Sequence, residues 1–561
     1  MGDHKRIILL VVLSAVVMFA WSHFFKPAPV SDTKTPAAQQ VVEQSKEMPV
    51  ESAATIKSQG AFDPQKEIPI TEVVIENALY AVTISSEGAL PTSFKLKNYR
   101  VEAGDKSPLL DLAKTKNQET LAMALFSLGD VGIPEKPRFK VVSSTTDEAT
   151  FSWRNSKIEL IKRYKFKEGN YLFDVEAEVK NLTSSPIVVN PSMTFAGDAY
   201  PKESSGILGM FKQPPVTNEN PVYSLNRKVE RETNVFKLPD EKAFTGAISW
   251  AGLEDRYFMT TVIPRTITDS EKLIISSRDI PDGEKPGKLI TASLSNAGVQ
   301  IPGSGSKTFA YSVYAGPKDI DLLKAVGVGL ESAIDFGWFS LIAVPILYLL
   351  RFFYTLVDSW GISIILLTIF IKIVLYPITK KSMKSMKAMQ KLQPQLKELQ
   401  KKYKGDKKKI QEETMRLFQT HKANPMGGCL PMLLQFPIYI ALYKVLWNST
   451  ELYHVPFLYY PDLSASDPYF ITPVLMGVFM FLQQRMMPST SADPTQQKMM
   501  MIMPVMFTVF MLFLPVGLVL YILISTAAGV IQQVMYNNNI RVRDLVRGKV
   551  SWKKFLGKSL A

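Results

Sequence analysis

The chain has 561 residues, a formal net charge of +14 and one cysteine, and 46% of its residues are hydrophobic. This length exceeds one ordinary domain of about 100 to 200 residues, so we expect at least two structural units. A single cysteine excludes a disulfide scaffold and any zinc site that needs two thiolates. We predict neither a metal site nor a cofactor.

The positive charge is concentrated in two segments. Residues 380–409 contain twelve lysines and two acids, and residues 537–561 contain seven basic residues and one aspartate. Because these segments carry +10 and +6, the rest of the chain has a charge of about −2. This distribution disfavours a general nucleic-acid binder, and we predict no DNA partner. It favours two basic patches on one side of a membrane.

The N-terminal segment is predicted to be a membrane anchor. Residues 7–25 are uncharged and largely apolar, and Lys5 and Arg6 precede them. About 20 apolar residues suffice for a helix to cross the hydrocarbon core. A cleaved signal peptide is the alternative, but Lys26 and Pro27 follow where an A-x-A cleavage site would be needed. We therefore predict an uncleaved signal anchor in residues 1–26.

A β domain is predicted to follow. Residues 27–67 are rich in Pro, Ala, Gln and Ser, which is typical of a disordered tether. Residues 173–180 alternate between apolar and polar without interruption, and residues 80–85 do so apart from Ala81. This period marks strands with one buried face. Residues 68–317 are therefore predicted to form one large antiparallel sandwich.

The β domain could be a sugar-binding or mutarotase-like enzyme. However, the sequence has no histidine between residues 24 and 420, so general acid/base catalysis by histidine is excluded there. Acids such as Asp174, Glu176 and Glu178 could still act in pairs, but alternate residues on a solvent-facing strand are usually surface groups. We predict that the protein is not an enzyme and assign no catalytic residue.

Five apolar runs follow the β domain, and we predict six membrane crossings in total. The last run, residues 499–536, is too long for one crossing, and Pro515-Val516-Gly517 divides it into two helices. The first run contains Pro345 and Arg351. If it crossed, the positive-inside rule would be violated, so we predict that residues 318–357 form amphipathic and interfacial helices. The five runs are residues 338–357, 361–379, 429–447, 469–487 and 499–536.

This topology places both termini and all basic segments in the cytoplasm, with the β domain outside. The second crossing is then residues 358–379, and the third to sixth crossings lie in residues 429–536. Residues 380–428 form a basic cytoplasmic hairpin, and residues 537–561 form a basic tail.

Lys372 is the deepest charge in the predicted crossings. Thr368 and Tyr376 are four residues away on either side, so the three share one helical face. Several helices that each carry such a row of polar side chains could enclose a water-filled cavity in which Lys372 stays charged. Alternatively, Lys372 snorkels to the interface, because Thr379 is only about 10 Å further along the helix. The same spacing recurs at Gln435 and Tyr439 and at Tyr521 and Ser525.

The acid content of the apolar runs indicates whether the protein could be a transporter. Residues 361–379, 429–447, 469–487 and 499–536 contain no Asp or Glu, which disfavours a proton-coupled transporter, although a small-solute transporter remains an alternative.

The basic segment has the apolar spacing of a helical hairpin, with a turn at Gly405 and Asp406. Its lysines form a solvated loop or contact anionic lipid or ribosomal RNA. Nearby methionines either fill the core or contact apolar protein segments of varied sequence that pass them. We predict that two cytoplasmic loops, the basic hairpin and the loop after residue 485, recruit partners to the protein. The residues predicted to make these contacts are Lys380, Lys381, Lys384, Lys387, Met486, Met487 and Lys498.

Ordered motifs run through the second half of the chain. They include Trp360-Gly361-x-Ser363-Ile364-Ile365, Tyr376-Pro377-x-Thr379, Asn424-Pro425-Met426-Gly427-Gly428-Cys429, Gln435-x-Pro437-Ile438 and Gly517-Leu518-Val519-Leu520-Tyr521. With these motifs, and in its order of segments, nearly the whole chain resembles the YidC membrane protein insertases of Gram-negative bacteria.

The resemblance implies a polytopic α-helical membrane protein with a five-helix core and an all-β periplasmic supersandwich. It implies an insertase and chaperone of the inner membrane that works alone or with the Sec translocon and without ATP hydrolysis. A hydrophilic groove would open to the cytoplasm and lipid, and clients would slide along the third and fifth crossings. The implied partners are nascent inner-membrane proteins, the Sec translocon and its accessory subunits, the ribosome and anionic lipid.

The resemblance also assigns a substrate-binding groove. Lys372 stands where the family has an arginine, so the charge is kept without the bidentate fork. Thr368 and Gln435 match polar groove positions of the family. Tyr521 matches a client-contacting position, and Ile522 replaces a second tyrosine that the family can carry. Tyr376, Tyr439 and Ser525 complete the predicted groove.

Overall fold

A computed structural model describes residues 68–114, 123–129, 131–134, 136–201, 218–266, 271–280, 287–421, 426–486, 494–538 and 540. Of residues 407, 426–432 and 494–500 only the backbone is described. The predicted signal anchor, the tether up to residue 67, the basic tail from residue 541 and Met487 lie outside the described residues, and so does the side chain of Lys498.

The first part of the described chain is an all-β domain. Its strands are β1 (Glu72–Glu76), β2 (Tyr80–Ser85), β3 (Leu90–Arg100), β4 (Leu109–Asp111), β5 (Leu125–Ser127), β6 (Lys140–Ser144), β7 (Glu148–Arg154), β8 (Ile158–Phe166), β9 (Leu172–Asn181), β10 (Ile187–Val189), β11 (Ser192–Ala199), β12 (Asn220–Leu225), β13 (Lys228–Arg231), β14 (Glu241–Thr245), β15 (Ile248–Glu254), β16 (Phe258–Pro264), β17 (Glu271–Ile280), β18 (Gly287–Asn296), β19 (Val299–Ile301) and β20 (Ser306–Pro317).

These strands form antiparallel sheets. The largest has nine strands in the order β13-β12-β15-β16-β20-β9-β8-β7-β6, and a second has five in the order β14-β17-β18-β11-β5. Strands β1 to β4 form a four-stranded sheet, and β10 pairs with β19. Both strands predicted from alternation are confirmed, as β2 and within β9. The domain is therefore all-β, as predicted.

Alternation explains the core of this domain. In β8 every second side chain is buried, and Tyr164 lies opposite Val175 of β9. Trp250 and Phe94 are also fully buried. The acids of β9 form ion pairs on the other face: Asp174 lies 2.6 Å from Arg265, and Ser312 donates a hydrogen bond to it. These contacts form a ladder of charged and hydroxyl groups across neighbouring strands.

The second part of the described chain is helical. Its α-helices are α1 (Ile320–Val326), α2 (Ser340–Val357), α3 (Trp360–Lys402), α4 (Lys407–Thr420), α5 (Met426–Asn448), α6 (Ile471–Met486), α7 (Pro494–Met511) and α8 (Val516–Asn537), with 3-10 turns at Leu330–Ala333, Gly337–Phe339 and Thr450–Leu452. A further 3-10 turn, Val235–Lys237, lies in the β domain.

Helices α3, α5 and α8 all contact one another. Helix α7 packs on α6, α6 on α8, α8 on α3 and α3 on α5, and α2 covers α3 and α5. The last apolar run is split as predicted, because α7 ends at Met511 and α8 begins at Val516. The basic hairpin is also confirmed, and its first arm continues the apolar part of α3 through Pro377 and Pro394.

The capacity of a helix to cross a membrane depends on its length and apolar composition. Among the described residues, three helices are long and apolar enough to cross, which is fewer than the predicted crossings. Two of them, Trp360–Lys402 and Val516–Asn537, contain predicted crossings, whereas the third, Gly337–Val357, covers the segment predicted to be interfacial. The chain therefore has a helical region capable of spanning a membrane, and the count of six crossings stays a prediction.

The β domain is joined firmly to the helices. Arg256 Nε donates a hydrogen bond to the carbonyl of Trp447 at 2.8 Å, and its guanidinium lies 3.6 Å from the centre of the Trp447 ring system. Tyr453 Oη donates to the carbonyl of Arg100 at 3.0 Å. The Tyr453 ring also packs edge-on against Phe258. The end of α5 and the loop after it are thus held by strands of the β domain.

Helices α6 and α7 approach each other closely at Gly477. A Cβ added there would lie 2.2 Å from Thr508 Oγ1, well inside van der Waals contact. Small residues allow such close helix contacts in membranes. Gly477 therefore sets the spacing of this pair.

We predict that Gly477→Ala lowers the free energy of unfolding by about 1 to 3 kcal/mol, because the added methyl group overpacks the contact. Circular dichroism during heating of the protein in detergent measures this. Adding Thr508→Ala to the same chain removes the clashing hydroxyl and is expected to restore most of the stability. An unchanged melting temperature for Gly477→Ala alone would contradict the close contact.

Candidate functional site

The predicted groove residues come from three helices, α3, α5 and α8. The structure brings three of them together. Gln435 Nε2 donates a hydrogen bond to Tyr521 Oη at 2.7 Å, and both side chains are buried. The Tyr439 ring meets the Tyr521 ring edge-on, with 5.8 Å between ring centres. Helices α5 and α8 are thus linked by a polar cluster inside an apolar bundle.

Two further predicted residues are buried. Thr368 Oγ1 donates a hydrogen bond to the carbonyl of Ile364 at 2.7 Å, one turn earlier in α3. This back-bonding satisfies the hydroxyl within its own helix. Ser525 is fully buried one turn after Tyr521. Both residues lie in the interior of the helical part.

Lys372 and Tyr376 line a different space, a cavity of about 400 Å³ between α3 and α8. Lys380 lies at the same cavity, together with Gln532 and Tyr536 of α8. The remaining described lining is apolar, formed by Ile369, Ile373, Met383, Ala528, Ile531, Met535 and Ile540. The predicted groove residues therefore fall into a buried polar cluster and a cavity that carries positive charge.

Lys372 has no opposite charge beside it. Within the described residues it makes neither an ion pair nor a hydrogen bond. Residues 359–397 contain no acid, and neither do residues 426–448 or 516–537. An ammonium group among apolar helices is costly unless an anion or water faces it. Among the described residues, therefore, no acidic side chain supplies a counter-charge to Lys372.

The loop between α5 and α6 closes one end of the bundle. The backbone N–H groups of Val516 and Gly517 donate to the carbonyls of Ala465 and Leu463, at 2.7 and 3.0 Å. These bonds satisfy orphan donors at the start of α8. The loop thereby fixes the N-terminus of α8, a role that the sequence did not reveal.

Asp467 orders the end of the same loop. Its carboxylate accepts hydrogen bonds from the backbone N–H groups of Tyr469 and Thr472, at 3.0 and 2.7 Å. Burial raises the pKa of Asp467, but these bonds to the charged form outweigh burial, so its pKa lies below the ordinary value. Sequence reasoning missed this role of Asp467. An Asp a few residues before an apolar helix was the available signal for capping.

The opposite end of the bundle is tied to the basic hairpin. The carbonyl of Met486, at the end of α6, accepts hydrogen bonds from Gln390 of α3 and Gln533 of α8, at 3.2 and 2.9 Å. Sequence reasoning missed both glutamines. The sequence feature that could have identified them is a polar amide side chain on an otherwise apolar helical face.

The predicted recruitment residues lie in different surroundings. Lys380, Lys381 and Lys384 are exposed on α3. Lys387 is half-buried, and its ammonium group lies 3.4 Å from the carbonyl of Tyr536. Met486 is buried with Val530 and Val534 of α8. The methionines of the first hairpin arm fill a small core, as the simpler interpretation of the sequence expected; they are Met383, Met386 and Met389.

The apolar faces predicted to guide clients are unequal. On α5, Phe436 is the exposed large apolar side chain among those described. On α7 most of the described outer side chains are exposed, namely Met501, Ile502, Met503, Val505, Met506 and Val509. The larger lipid-accessible surface therefore lies on α7.

Comparisons with known proteins agree with this architecture. Residues 72–349 match the model of the YidC periplasmic domain, and residues 352–543 match that of the 60Kd inner membrane protein family. The chain is 36% identical to the membrane protein insertase YidC of Syntrophus aciditrophicus over 95% of this chain and 99% of that protein. It is 35% identical to the YidC of Geotalea daltonii, over 96% and 99% respectively.

The chain belongs to the YidC family of membrane protein insertases. The resemblance seen in the motifs is thereby confirmed. A solved structure of an active YidC insertase matches 82% of this chain and 92% of its own, at 19% identity and a TM-score of 0.36. A galactose mutarotase related enzyme from Lactobacillus acidophilus matches 44% of this chain and 97% of its own, at 12% identity and a TM-score of 0.30. Neither match bears on activity.

We predict that Gln435 and Tyr521 of this YidC protein stabilise each other. Interhelical hydrogen bonds in membranes contribute about 0.6 kcal/mol on average and up to about 1.7 kcal/mol. A double-mutant cycle of Gln435→Leu and Tyr521→Phe, followed by unfolding in mixed micelles, should show coupling in this range. Tyr443→Phe, whose ring packs against Trp447 instead, serves as the control and should add independently to Gln435→Leu. Full additivity of Gln435→Leu and Tyr521→Phe would contradict the bond.

Proposed function

We propose that the protein is an insertase and chaperone that moves inner-membrane proteins into the bilayer without ATP hydrolysis, alone or with the Sec translocon. One observation carries the proposal: the half-buried cation Lys372 lines a cavity of the helical bundle and lacks a counter-charge among the described residues. A passing acidic segment of a client supplies that charge. The loop between α5 and α6 closes the outer end, so clients enter from the cytoplasm and the lipid.

The energetic benefit is specific to polar client segments. Moving a charged group to the bilayer centre costs about 2.5 to 3.5 kcal/mol on insertion scales. A hydrophilic groove with a fixed positive charge removes part of this cost, and 1.4 kcal/mol already changes a rate tenfold. In the groove, Lys372 attracts the outer segment, while Thr368, Gln435, Tyr439, Tyr521 and Ser525 supply polar surface. The exposed face of α7, with α5, guides the apolar helix of the client.

Arg351 supports the proposed topology. Its Nη2 lies 2.8 Å from Asp319, which directly follows the β domain, and its Nε donates to Glu451 at 2.8 Å. Asp321 also pairs with it. Since these acids belong to outer segments, the middle of α2 lies at the outer surface rather than in the hydrocarbon. Trp338, at the start of the segment, is 96% exposed, as suits an interfacial helix.

With α2 interfacial, the proposed protein has six crossings in the inner membrane and both termini in the cytoplasm. The β domain is then periplasmic, and the basic hairpin and tail are cytoplasmic. The exposed lysines Lys380, Lys381 and Lys384 support recruitment of the ribosome or of anionic lipid, because both present dense negative charge. The proposed domain boundaries are those predicted from the sequence. Met487 and Lys498 remain proposed recruitment residues.

Depletion of the protein in its host tests the proposed function. Pulse labelling then follows a small phage-coat-like client that does not need the Sec translocon. Protease protection reports its insertion. We expect the client to accumulate uninserted, and expression of the intact chain should restore insertion. Normal insertion after depletion would refute the proposal.

The charge of residue 372 should determine client preference. We predict that Lys372→Arg is tolerated, and that Lys372→Glu impairs clients with acidic outer segments at least several-fold more than clients with neutral ones. The physical reason is that the variant replaces attraction by repulsion. Parallel insertion assays of the two client types measure the ratio. Equal loss on both would assign Lys372 a snorkelling, structural role.

The topology has its own test. In a chain with Cys429→Ser, single cysteines replace Ser466 in the loop between α5 and α6 and Lys404 in the hairpin turn. Both positions are exposed. A membrane-impermeant maleimide should label the first in intact spheroplasts and the second only after lysis. The reverse pattern would show that α2 crosses the membrane.

A further inference from the structure

The cavity beside Lys372 has two chemically distinct parts. One wall is apolar and open to the side, since Ile369, Ile373 and Ile531 line it and remain 44%, 66% and 47% exposed. The polar part is formed by Lys372 and Lys380, with Gln532 and Tyr536 across from them on α8. The cavity therefore combines lateral access from an apolar medium with positive charge.

The two lysines act on the same space. They are eight residues apart on α3, which corresponds to a rise of about 12 Å, and both line the cavity. Their four-carbon stems are flexible, so the ammonium groups can approach each other along the helix. No acid of residues 359–397 or 516–537 competes for them. A single anion that bridges this distance, with an apolar tail beside it, fits the arrangement.

We propose that an anionic phospholipid occupies this cavity when no client is bound. Its phosphodiester lies between the ammonium groups of Lys372 and Lys380, and one acyl chain lies along Ile369, Ile373 and Ile531. A free phosphate ion would use the charge but leave the apolar wall uncovered. The lipid explains both parts of the cavity.

The lipid makes client entry an exchange of anions. This step rests on the proposed function, because it requires that client carboxylates reach Lys372. The client displaces the phosphodiester, so the ammonium group has a counter-charge before and after. The cost of an unpaired charge is then avoided in both states.

Native mass spectrometry of the full chain in detergent tests the site. The protein is titrated with phosphatidylglycerol and, separately, with phosphatidylcholine. We expect Lys372→Gln to weaken the first-bound phosphatidylglycerol about fivefold, the effect of one lysine facing anionic lipid, with little change for phosphatidylcholine. Lys372→Arg should retain the preference. Lys401→Gln, an exposed lysine further along α3, is the matched control and should also retain it.

Three outcomes would overturn the lipid site. The first is an unchanged phosphatidylglycerol preference in Lys372→Gln. The second is an equal loss for both lipids, which indicates that Lys372 does not recognise the anionic headgroup. The third is displacement of the bound lipid by excess glycerol 3-phosphate, which indicates a site for a free anion.

The insertion assay on Lys372→Gln is scored separately. Lost insertion with unchanged lipid preference overturns the lipid site and leaves the proposed function standing. Normal insertion with lost preference supports the lipid site and counts against the client role of Lys372.

Discussion

Polar groups inside a membrane must be satisfied by the protein, and this constraint organises the helical part of the molecule. Thr368 bonds the turn before it, Gln435 bonds Tyr521, and loop carbonyls accept from the first N–H groups of α8. Lys372 departs from this rule among the described residues. In the proposed function, its position beside a laterally open cavity leaves the ammonium group available to a ligand.

The β domain contributes to the same constraint from outside. Arg256 holds the end of α5 through the carbonyl and ring of Trp447, and Tyr453 anchors the following loop to β3 and β16. That loop in turn supplies the carbonyls that cap α8. A chain of contacts thus runs from the β sheets to the helix that carries Tyr521. The large domain therefore helps to hold the loop that closes this end of the bundle.

The sequence predicted features that follow from local pattern. Strands β2 and β9 follow from alternation, the break between α7 and α8 from Pro515, and the hairpin from apolar spacing and a Gly-Asp turn. Contacts between distant segments were not predictable. Nothing near Gln390 or Gln533 in sequence indicates that both bond the carbonyl of Met486, because the choice of partner depends on how α3, α6 and α8 pack.

A lysine suits an exchangeable site better than an arginine would. Arginine forms a planar fork that holds a carboxylate or phosphate in a bidentate geometry, whereas lysine is a compact charge on a flexible stem. The proposed groove would accept many different client segments, and it gains from a partner that fixes charge but not orientation. The same reasoning applies to α7, whose exposed methionines adapt to varied apolar helices. Both surfaces thus favour adaptability over tight recognition, which suits the release of each client into the bilayer that the proposed function requires.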